Sequence, residues 1–476
     1  MPMQQNNKAL TKFPEGSMRE LWSISLPLMI SSLASLLMLF VDRCFLARYS
    51  LDALNASVNG GTLAWAFLGG MGMLTVMSEV FVAQYNGAEM HKKIGVPVWQ
   101  MIWVSIFSAL IFIPIGLWFG SLFFQKTAYL SMQIDYFKYL MLFGPFYCIS
   151  TALAGFFIGR GRTRILIYLG IFSNVINVIF DWIMIFGIKG IFPEMGIKGA
   201  AIATGIGTIF QTVILAYIFL KKVNRESFGS DKWHFNFDVF KKCLKVGSPP
   251  AIFYTLEIFG WALFFVMMTQ MSEVHITISS ICQSIVLLLS FFFDGMTRGV
   301  SALAGNFIGS KRIELIHSLL KSSLKLLVVF IVLVSVFLIF DPKLIVDFLI
   351  PGNMEKHVFL WQNIDGHSFY YILKTCLVCV FIYTFFEGIR WIFAGLLTSA
   401  GDTMFLLIAG SLSVWCFLIL PVYLIVVKLS LSVQYAWILA SLYAIFLSLI
   451  YWLRFRNGKW KEIQLIAQTN SSEAEE

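Results

Sequence analysis

The apolar residues of this chain are grouped into long, nearly unbroken runs that recur from one end of the sequence to the other. Each run is about 20 residues long or longer, the length of helix that crosses the hydrocarbon core of a bilayer. Because a backbone inside lipid must satisfy its own hydrogen bonds, each run predicts a transmembrane helix. The predicted spans are residues 20–47, 56–85, 95–120, 136–159, 165–187, 196–220, 245–271, 275–308, 318–340, 368–398, 404–427 and 433–453.

The overall composition leads to the same class of protein. Hydrophobic residues make up 58% of the 476 residues and charged residues 13%, whereas soluble domains carry roughly 25% charged residues. The sequence therefore predicts an all-α integral membrane protein with twelve transmembrane helices. The seven cysteines are an odd number and lie mostly inside apolar runs, so we expect no disulfide framework.

The basic residues are unevenly divided between the two sets of predicted loops. Of the 35 Lys and Arg residues, 23 fall on the side of the N-terminus, 9 on the opposite side and three within the spans. The positive-inside rule then places both termini in the cytoplasm. Topology accounts for the net charge of +9, so a nucleic-acid partner is not expected. We expect a multi-pass protein of the plasma membrane, the bacterial inner membrane.

The sequence contains an internal repeat. Pro27 and Pro249 lie 222 residues apart, and each precedes by 60 residues a glycine, Gly87 or Gly309, that ends a long span. Five further identities recur with an offset of 240, and the extra residues fit in the predicted external loop 341–367. These identities pair Ala154, Gly155, Gly161, Thr163 and Gly170 with Ala394, Gly395, Gly401, Thr403 and Gly410.

Each half of the repeat holds six spans, an even number, so both halves have the same orientation. The fold predicted is two pseudo-symmetric six-helix lobes (6+6) around a central cavity. We expect disorder in the acidic tail after Ala467. The predicted segments are a cytoplasmic N-terminal segment 1–19, an N-lobe 20–220, a cytoplasmic linker 221–244, a C-lobe 245–455 and a cytoplasmic tail 456–476.

Nine ionisable side chains lie within the spans, where each costs several kcal/mol and by default marks function. Three of them, Glu79, Asp294 and Arg298, lie near cytoplasmic span ends, where we expect either snorkelling to the interface or an inner salt bridge. Asp294 and Arg298 are spaced i, i+4 and suited to pair. The remaining six are Asp42, Arg43, Asp181, Glu257, Glu387 and Arg390.

Two of these carboxyls, Glu257 and Glu387, are predicted near the midplane, too deep to reach water. Phe253, Tyr254 and Trp261 flank Glu257 at helical spacing, and a carboxylate with aromatic faces suits an organic cation. The alternatives are a buried carboxyl bonded to a neighbouring helix and aromatic rings that face lipid.

A second candidate site lies in the first half. Asn174, Asn177 and Asp181 are spaced i, i+3, i+7 and form one stripe on span five, and Asp42 falls in the same outer half of the bilayer. Such oxygen-bearing side chains suit a proton or Na⁺. The alternative is structural hydrogen bonding between helices.

Signals of catalysis are missing from the sequence. The six histidines form no metal-ligand pair, and there is no Walker A sequence, so ATP hydrolysis is not expected. We expect a protein that is not an enzyme and that needs no cofactor beyond a coupling ion.

These residues resemble the multidrug and toxic compound extrusion (MATE) family over roughly residues 15–455. The resemblance implies a V-shaped 6+6 bundle that exports cationic compounds against H⁺ or Na⁺. The motifs that carry it are Val41-Asp42, Val82-Ala83-Gln84-Tyr85-Asn86-Gly87-Ala88, Asn174-x-x-Asn177-x-x-x-Asp181, Pro193 to Ala201, and Glu387 through Gly401-Asp402-Thr403.

The resemblance also implies roles for individual residues. Asp42, Asn177 and Asp181 match N-lobe cation positions of the family, and Glu257 and Glu387 match C-lobe carboxylates of its sodium-coupled bacterial branch. Two departures stand out. Glu387 replaces the usual Asp, and Arg43 follows Asp42 where the family usually has a small or polar residue. Arg390, three residues after Glu387, is also close enough to pair with it.

The function expected from these features is a monomeric secondary antiporter for organic cations, driven by H⁺ or Na⁺. The sequence does not choose the ion, although pairing of Arg390 would weaken a C-lobe Na⁺ site and so favours H⁺. The first alternative is a flippase for a lipid-linked precursor on the same general fold. A channel or structural membrane protein is a further alternative.

Overall fold

The structure, a computed structural model, describes residues 10–124, 128–335, 363–364 and 367–466. Within these residues twelve helices are long and apolar enough to cross a membrane, which confirms the predicted all-α bundle. In chain order they are α1 (Met18–Tyr49), α2 (Leu51–Gly87), α3 (His91–Phe123), α4 (Leu130–Gly159), α5 (Arg164–Phe186), α6 (Ile197–Phe219), α7 (Phe237–Met271), α8 (Glu273–Gly309), α9 (Glu314–Ser335), α10 (Phe369–Ala400), α11 (Thr403–Lys428) and α12 (Val433–Asn457).

Polar side chains begin several of these helices. Ser17, Ser50 and Asn236 precede α1, α2 and α7. Each side chain accepts a hydrogen bond from the amide three residues later, at 3.2, 3.0 and 3.1 Å respectively. These caps satisfy amides that the first helical turn leaves unpaired.

Helix α7 begins earlier than the sequence predicts. It starts at Phe237 instead of 245, so it takes in the end of the predicted linker 221–244. The first part of that linker forms a short helix, Lys222–Phe228. Hydropathy detects only the apolar part of a helix. The Asn236 cap allows α7 to begin in a basic, polar stretch before its apolar part.

Two predicted segments lie largely outside the described residues. The tail after Ala467 is one of them, and the loop 341–367 is the other. At the end of that loop, β1 (Asn363–Ile364) pairs antiparallel with β2 (His367–Ser368) just before α10.

The repeat is visible in the structure as two six-helix lobes, α1–α6 and α7–α12. Helices α2 and α8 end at the equivalent glycines Gly87 and Gly309. The turns after α4 and α10 contain Gly161 and Gly401, with φ of 69° and 87°. Side chains rarely adopt this left-handed region, so both lobes use glycine at the same turn.

The two lobes meet closely at the end of the bundle that carries the basic loops. Asn86 donates a hydrogen bond to the side-chain oxygen of Asn306 at 2.7 Å. A Cβ atom at Gly87 would collide with the carbonyl of Asn306, and one at Gly309 would collide with that of Gln84. The equivalent glycines therefore let α2 and α8 cross with their backbones in contact.

The segment before α1 adds to this closure. Glu15 forms an ion pair with Arg312, which lies between α8 and α9. Ser322 of α9 donates to the carbonyl of Gly16 at 2.7 Å. In the described part of the chain, the hydrogen bonds and ion pairs between the two lobes all fall in the half of the bundle nearest the basic loops.

Candidate functional site

A buried polar cluster inside the N-lobe joins three predicted site residues. Asp42 lies on α1, and Asn177 and Asp181 lie on α5; their exposed fractions are 3%, 0% and 0%. With the Asn177 amide oriented to satisfy its neighbours, its nitrogen lies 3.1 Å from Asp42 Oδ1 and 3.2 Å from Asp181 Oδ2. Its oxygen then accepts from the backbone N–H of Thr204 on α6, at 3.1 Å. One amide thus links both carboxyl groups.

Asn174 does not join this cluster through a described hydrogen bond. Its side-chain nitrogen donates to the carbonyl of Ala34 on α1, at 2.9 Å. Asn174 lies on the predicted stripe, yet this contact is of the structural, helix-to-helix kind.

The electrostatics of the cluster make two free negative charges unfavourable. Asp42 and Asp181 are both removed from water and accept from the same amide. Two like charges so placed repel, and the repulsion is relieved when one carboxyl takes a proton or when a cation lies between them. Oδ1 of Asp181 is buried and has no hydrogen-bond partner among the described residues. This atom is therefore free to hold a proton or contact a cation.

Neighbouring side chains complete the electrostatic surroundings of the cluster. Tyr136 of α4 is 5% exposed and within electrostatic reach of both Asp42 and Asp181. Arg43, the unusual residue next to Asp42, acts on it through space, and no hydrogen bond or ion pair joins it to a described residue.

The C-lobe carboxyls are arranged differently, because Arg390 lies between them. Arg390 binds Glu387 through both nitrogen branches, with Nε 2.9 Å from Oε2 and NH2 in contact with Oε1. The NH2 atom also lies 3.3 Å from Oε1 of Glu257. One guanidinium on α10 therefore ties its own helix to α7.

Two further side chains satisfy the same carboxyls. The indole of Trp391 donates to Glu387 at 2.8 Å. The hydroxyl of Tyr443, on α12, donates to Glu257 at 3.3 Å. Glu387 and Arg390 are 6% and 4% exposed. Glu257 is partly buried, with 17% of its side chain exposed. The two acids and one base form a hydrogen-bonded group in which the carboxyl groups outnumber the base.

The three aromatic residues that flank Glu257 in the sequence each contact a different neighbour. The ring of Phe253 lies 5.9 Å from the guanidinium of Arg390, a cation–π distance. Tyr254 packs against Gly69 of α2, and the ring of Trp261 lies edge-on to Tyr383 at 5.9 Å. An aromatic site for an organic cation at Glu257 stays a prediction.

The three charges near the basic end also pair differently from the expected i, i+4 contact. Arg298 of α8 binds Glu79 of α2, with Nε 3.2 Å from Oε2, and Glu79 is 1% exposed. Asp294 instead accepts from the hydroxyl of Ser32 on α1. The expected inner salt bridge exists, but it joins the two lobes rather than two turns of one helix.

Several residues next to the candidate site were not predicted from the sequence. Tyr136, Tyr443 and Thr204 lie on helices that carry no predicted site residue. Trp391 lies next to Arg390 and gave no separate signal. Their partners are far away in the sequence, so only helix packing brings them together. Among the described residues, no group of three or more His, Cys, Asp and Glu side chains is arranged to hold a metal ion.

Two lobes of six helices, each with buried charges at its centre, define a membrane transporter. The profile of the MatE family matches residues 27–183 and 249–424, and the chain belongs to this family. The two matched segments begin at Pro27 and Pro249, the prolines that start the predicted repeat.

One relative matches nearly the whole chain, and another matches a shorter part of it. The chain is 24% identical over 466 residues to a probable multidrug resistance protein NorM of Thermotoga maritima, covering 96% of each chain. It is 25% identical over 305 residues to a probable multidrug resistance protein NorM of Listeria monocytogenes, covering 62% of this chain and 66% of that one.

A solved structure shares the fold. A multidrug resistance MATE family transporter in the outward-facing conformation superimposes with a TM-score of 0.81 at 16% identity, covering 96% of this chain and 99% of the other.

Proposed function

We propose that this transporter is a secondary antiporter that exports organic cations and other xenobiotics in exchange for H⁺ or Na⁺, by alternating access. The observation that carries the proposal is the buried pair Asp42 and Asp181, joined by Asn177, with one unpaired carboxyl oxygen. A site with two acids and no base in direct contact gains most from binding a positive ion. Such a site is suited to coupling.

The N-lobe cluster is assigned the coupling ion. When the cluster is empty, its two carboxylates repel each other inside the lobe. Binding of one proton or one Na⁺ removes that repulsion, so the two states differ in the helix packing they favour. A ligand shifts a conformational equilibrium only through such a difference in binding free energy. The same difference links ion entry to substrate release.

The C-lobe group favours H⁺ over Na⁺ as the coupling ion. A C-lobe Na⁺ site needs free carboxylate oxygens, but Arg390 occupies both Glu257 and Glu387. Na⁺ cannot displace the guanidinium of Arg390 without leaving this buried charge unpaired. The N-lobe cluster is therefore the candidate Na⁺ site that remains. A proton can bind to the same cluster. The excess negative charge at Glu257 and Glu387 remains available to attract a cationic substrate.

The substrate class follows from the charges within the spans. Six acids stand against three bases there, an excess that favours cations over phosphate-bearing molecules. The NorM relatives are probable multidrug resistance proteins, which agrees with export of several compounds.

The conformation suggests where the ion enters. The lobes are joined at the end with the basic loops, through contacts such as Asn86 to Asn306. With that end in the cytoplasm, as the positive-inside rule requires, the structure corresponds to a state closed to the cell interior. A proton entering from outside would then meet the empty cluster. We propose that the protein acts as a monomer in the bacterial inner membrane.

The flippase alternative lacks support. It would favour a net-cationic cavity for a phosphate, whereas each of the two clusters carries an excess of carboxyl groups.

Transport in proteoliposomes tests the proposal. Purified protein is reconstituted, and a panel of cationic dyes is followed with an imposed H⁺ gradient, a Na⁺ gradient or neither. Gradient-dependent dye movement that is lost in Asp42→Asn is the expected result. Absence of dye movement under every gradient, together with movement of a phosphate-bearing lipid precursor, would replace this function by the flippase.

A further inference from the structure

A groove open to the outside of the bundle runs between α1 and α5, with a volume of about 640 Å³. Arg19 and Arg164 lie at one end of it, each in the first turn of its helix. Leu26 and Ile30 line its far end on α1, and Ile167 lines it on α5. The distance along α1 from Arg19 to Ile30 is about 16 Å at the rise of an α-helix. The groove is thus cationic at the basic end of the bundle and apolar toward the bilayer interior.

The two arginines of this groove have no partner among the residues that the structure describes. No described carboxylate lies within ion-pair distance of Arg19 or Arg164, and neither guanidinium stacks on a described aromatic ring. The nearest acid in the sequence, Glu20, is 1% exposed and accepts instead from the backbone N–H of Gly16 at 2.6 Å. None of the residues that line the groove is acidic.

Three other arginines at the same end of the bundle have partners, whereas Arg162 is exposed like the groove pair. Arg312 pairs with Glu15, and Arg454 pairs with Asp402 through two nitrogen atoms. Arg160 lies over the ring of Phe228, 3.4 Å from its centroid. Among the described residues, the pair at the groove is therefore available to bind an anion.

Aromatic residues fix the depth of the groove in a membrane. Trp22 and Tyr168 line it from the two helices and are 42% and 72% exposed. Tryptophan and tyrosine at the surface of a membrane protein collect at the level of the lipid headgroups. The two arginines, each about one helical turn from one of these rings, are expected at the level of the lipid phosphates.

We propose that this groove binds an anionic phospholipid, with its phosphate between Arg19 and Arg164 and an acyl chain against Leu26, Ile30 and Ile167. A guanidinium binds phosphate oxygens with directed hydrogen bonds. A zwitterionic lipid brings its own cation next to the phosphate, so the uncompensated charge of the groove selects against it. A free phosphate would leave the apolar half of the groove uncovered.

Lipid binding to the purified, delipidated full-length protein tests the site. Dioleoyl-phosphatidylglycerol or dioleoyl-phosphatidylcholine is titrated in detergent, bound lipid is counted by native mass spectrometry, and the midpoint of thermal unfolding is measured. Phosphatidylglycerol is expected to bind the wild-type protein about tenfold or more tightly than phosphatidylcholine, and to raise the midpoint. The double variant Arg19→Gln/Arg164→Gln is expected to lose that preference.

The matched control is Lys241→Gln/Lys242→Gln, which removes the same charge from two exposed residues in the first turns of α7. This control is expected to keep the preference. Because both arginines are exposed and unpaired, the variant is expected to fold, and each single substitution should give a partial loss. Equal binding of both lipids by the wild type, or unchanged preference in the arginine double variant, would overturn the proposal. Inorganic phosphate that raises the midpoint as much as the lipid does would also overturn it.

Discussion

Arg298 on α8 and Glu79 on α2 form an ion pair that joins the two lobes, with 3.2 Å between Nε and Oε2. Glu79 is almost fully buried, and one terminal nitrogen of Arg298 is also buried without a partner. A buried charge that loses its partner is far less stable than a paired one. Separation of the lobes at this end must break the pair and expose it to water. The pair is thus suited to hold the basic end closed.

Removal of this pair should open the basic end more often. Glu79→Gln leaves Arg298 without its counter-charge, at a cost of about 3–5 kcal/mol for a buried pair. Spin labels in the turns that follow α2 and α8, at Lys92→Cys and Lys311→Cys in a cysteine-free background, should report a larger population of long distances. Glu226→Gln, which breaks the exposed pair with Lys222, is the control and should leave the distances unchanged. Identical distance distributions in Glu79→Gln and wild type would show that the pair does not hold the lobes together.

The glycine contact between α2 and α8 should be equally sensitive. Gly309→Ala places a methyl group against the carbonyl of Gln84, so the helices must separate or bend. The same pair of spin labels should report longer distances than in the wild type. Dye transport should also be reduced. Gly61→Ala is the control, because its Cβ would meet the nearest atom, in Tyr136, at 3.4 Å, an ordinary contact distance. Normal closure in Gly309→Ala would mean that α2 and α8 tolerate a wider crossing.

The N-lobe cluster should carry coupling. Asp181→Asn keeps the shape of the side chain but removes the charge that receives the ion. We expect gradient-driven efflux to fall by about tenfold or more, in the range of typical coupling free energies, while membrane insertion stays intact. Asp135→Asn, at the partly exposed pair with Lys198, is the control and should transport normally. Wild-type efflux in Asp181→Asn would leave the cluster with a structural role alone.

The C-lobe group should behave as a unit in stability measurements. Arg390→Gln leaves the buried Glu387 and the partly buried Glu257 without their shared partner, so we expect destabilisation of about 3–5 kcal/mol. The triple variant Glu257→Gln/Glu387→Gln/Arg390→Gln removes the charges together and should recover much of that loss. Thermal unfolding in detergent measures both. Arg162→Gln, which removes an exposed arginine, is the control. Additive losses in the triple variant would contradict a single coupled group.

The orientation in the membrane is tested by labelling intact cells. In a cysteine-free background, Glu226→Cys in the linker should be protected from an impermeant thiol reagent. Lys356→Cys, in the predicted external loop, should be labelled. Both residues become accessible after permeabilisation if the protein is folded. Labelling of Glu226→Cys from outside would reverse the topology and, with it, the proposed direction of ion entry.

The sequence alone determined the parts of this protein that depend on local pattern. Span length, the uneven basic loops and the glycines of the repeat are properties of single segments. The structure has the predicted twelve spans and the repeat turns at Gly161 and Gly401. The i, i+3, i+7 stripe of span five also put Asn177 and Asp181 on one helix face, because helical periodicity fixes it.

Which charges meet was decided only by the tertiary structure. Arg298 is four residues from Asp294, but it pairs with Glu79 on another helix. Arg390 binds the expected Glu387 and also Glu257, which lies on α7 in the same lobe. Sequence spacing tells which side chains share a face of one helix. The rotation and crossing of packed helices decide which faces meet, and that depends on the fit of many side chains and close glycine contacts at once.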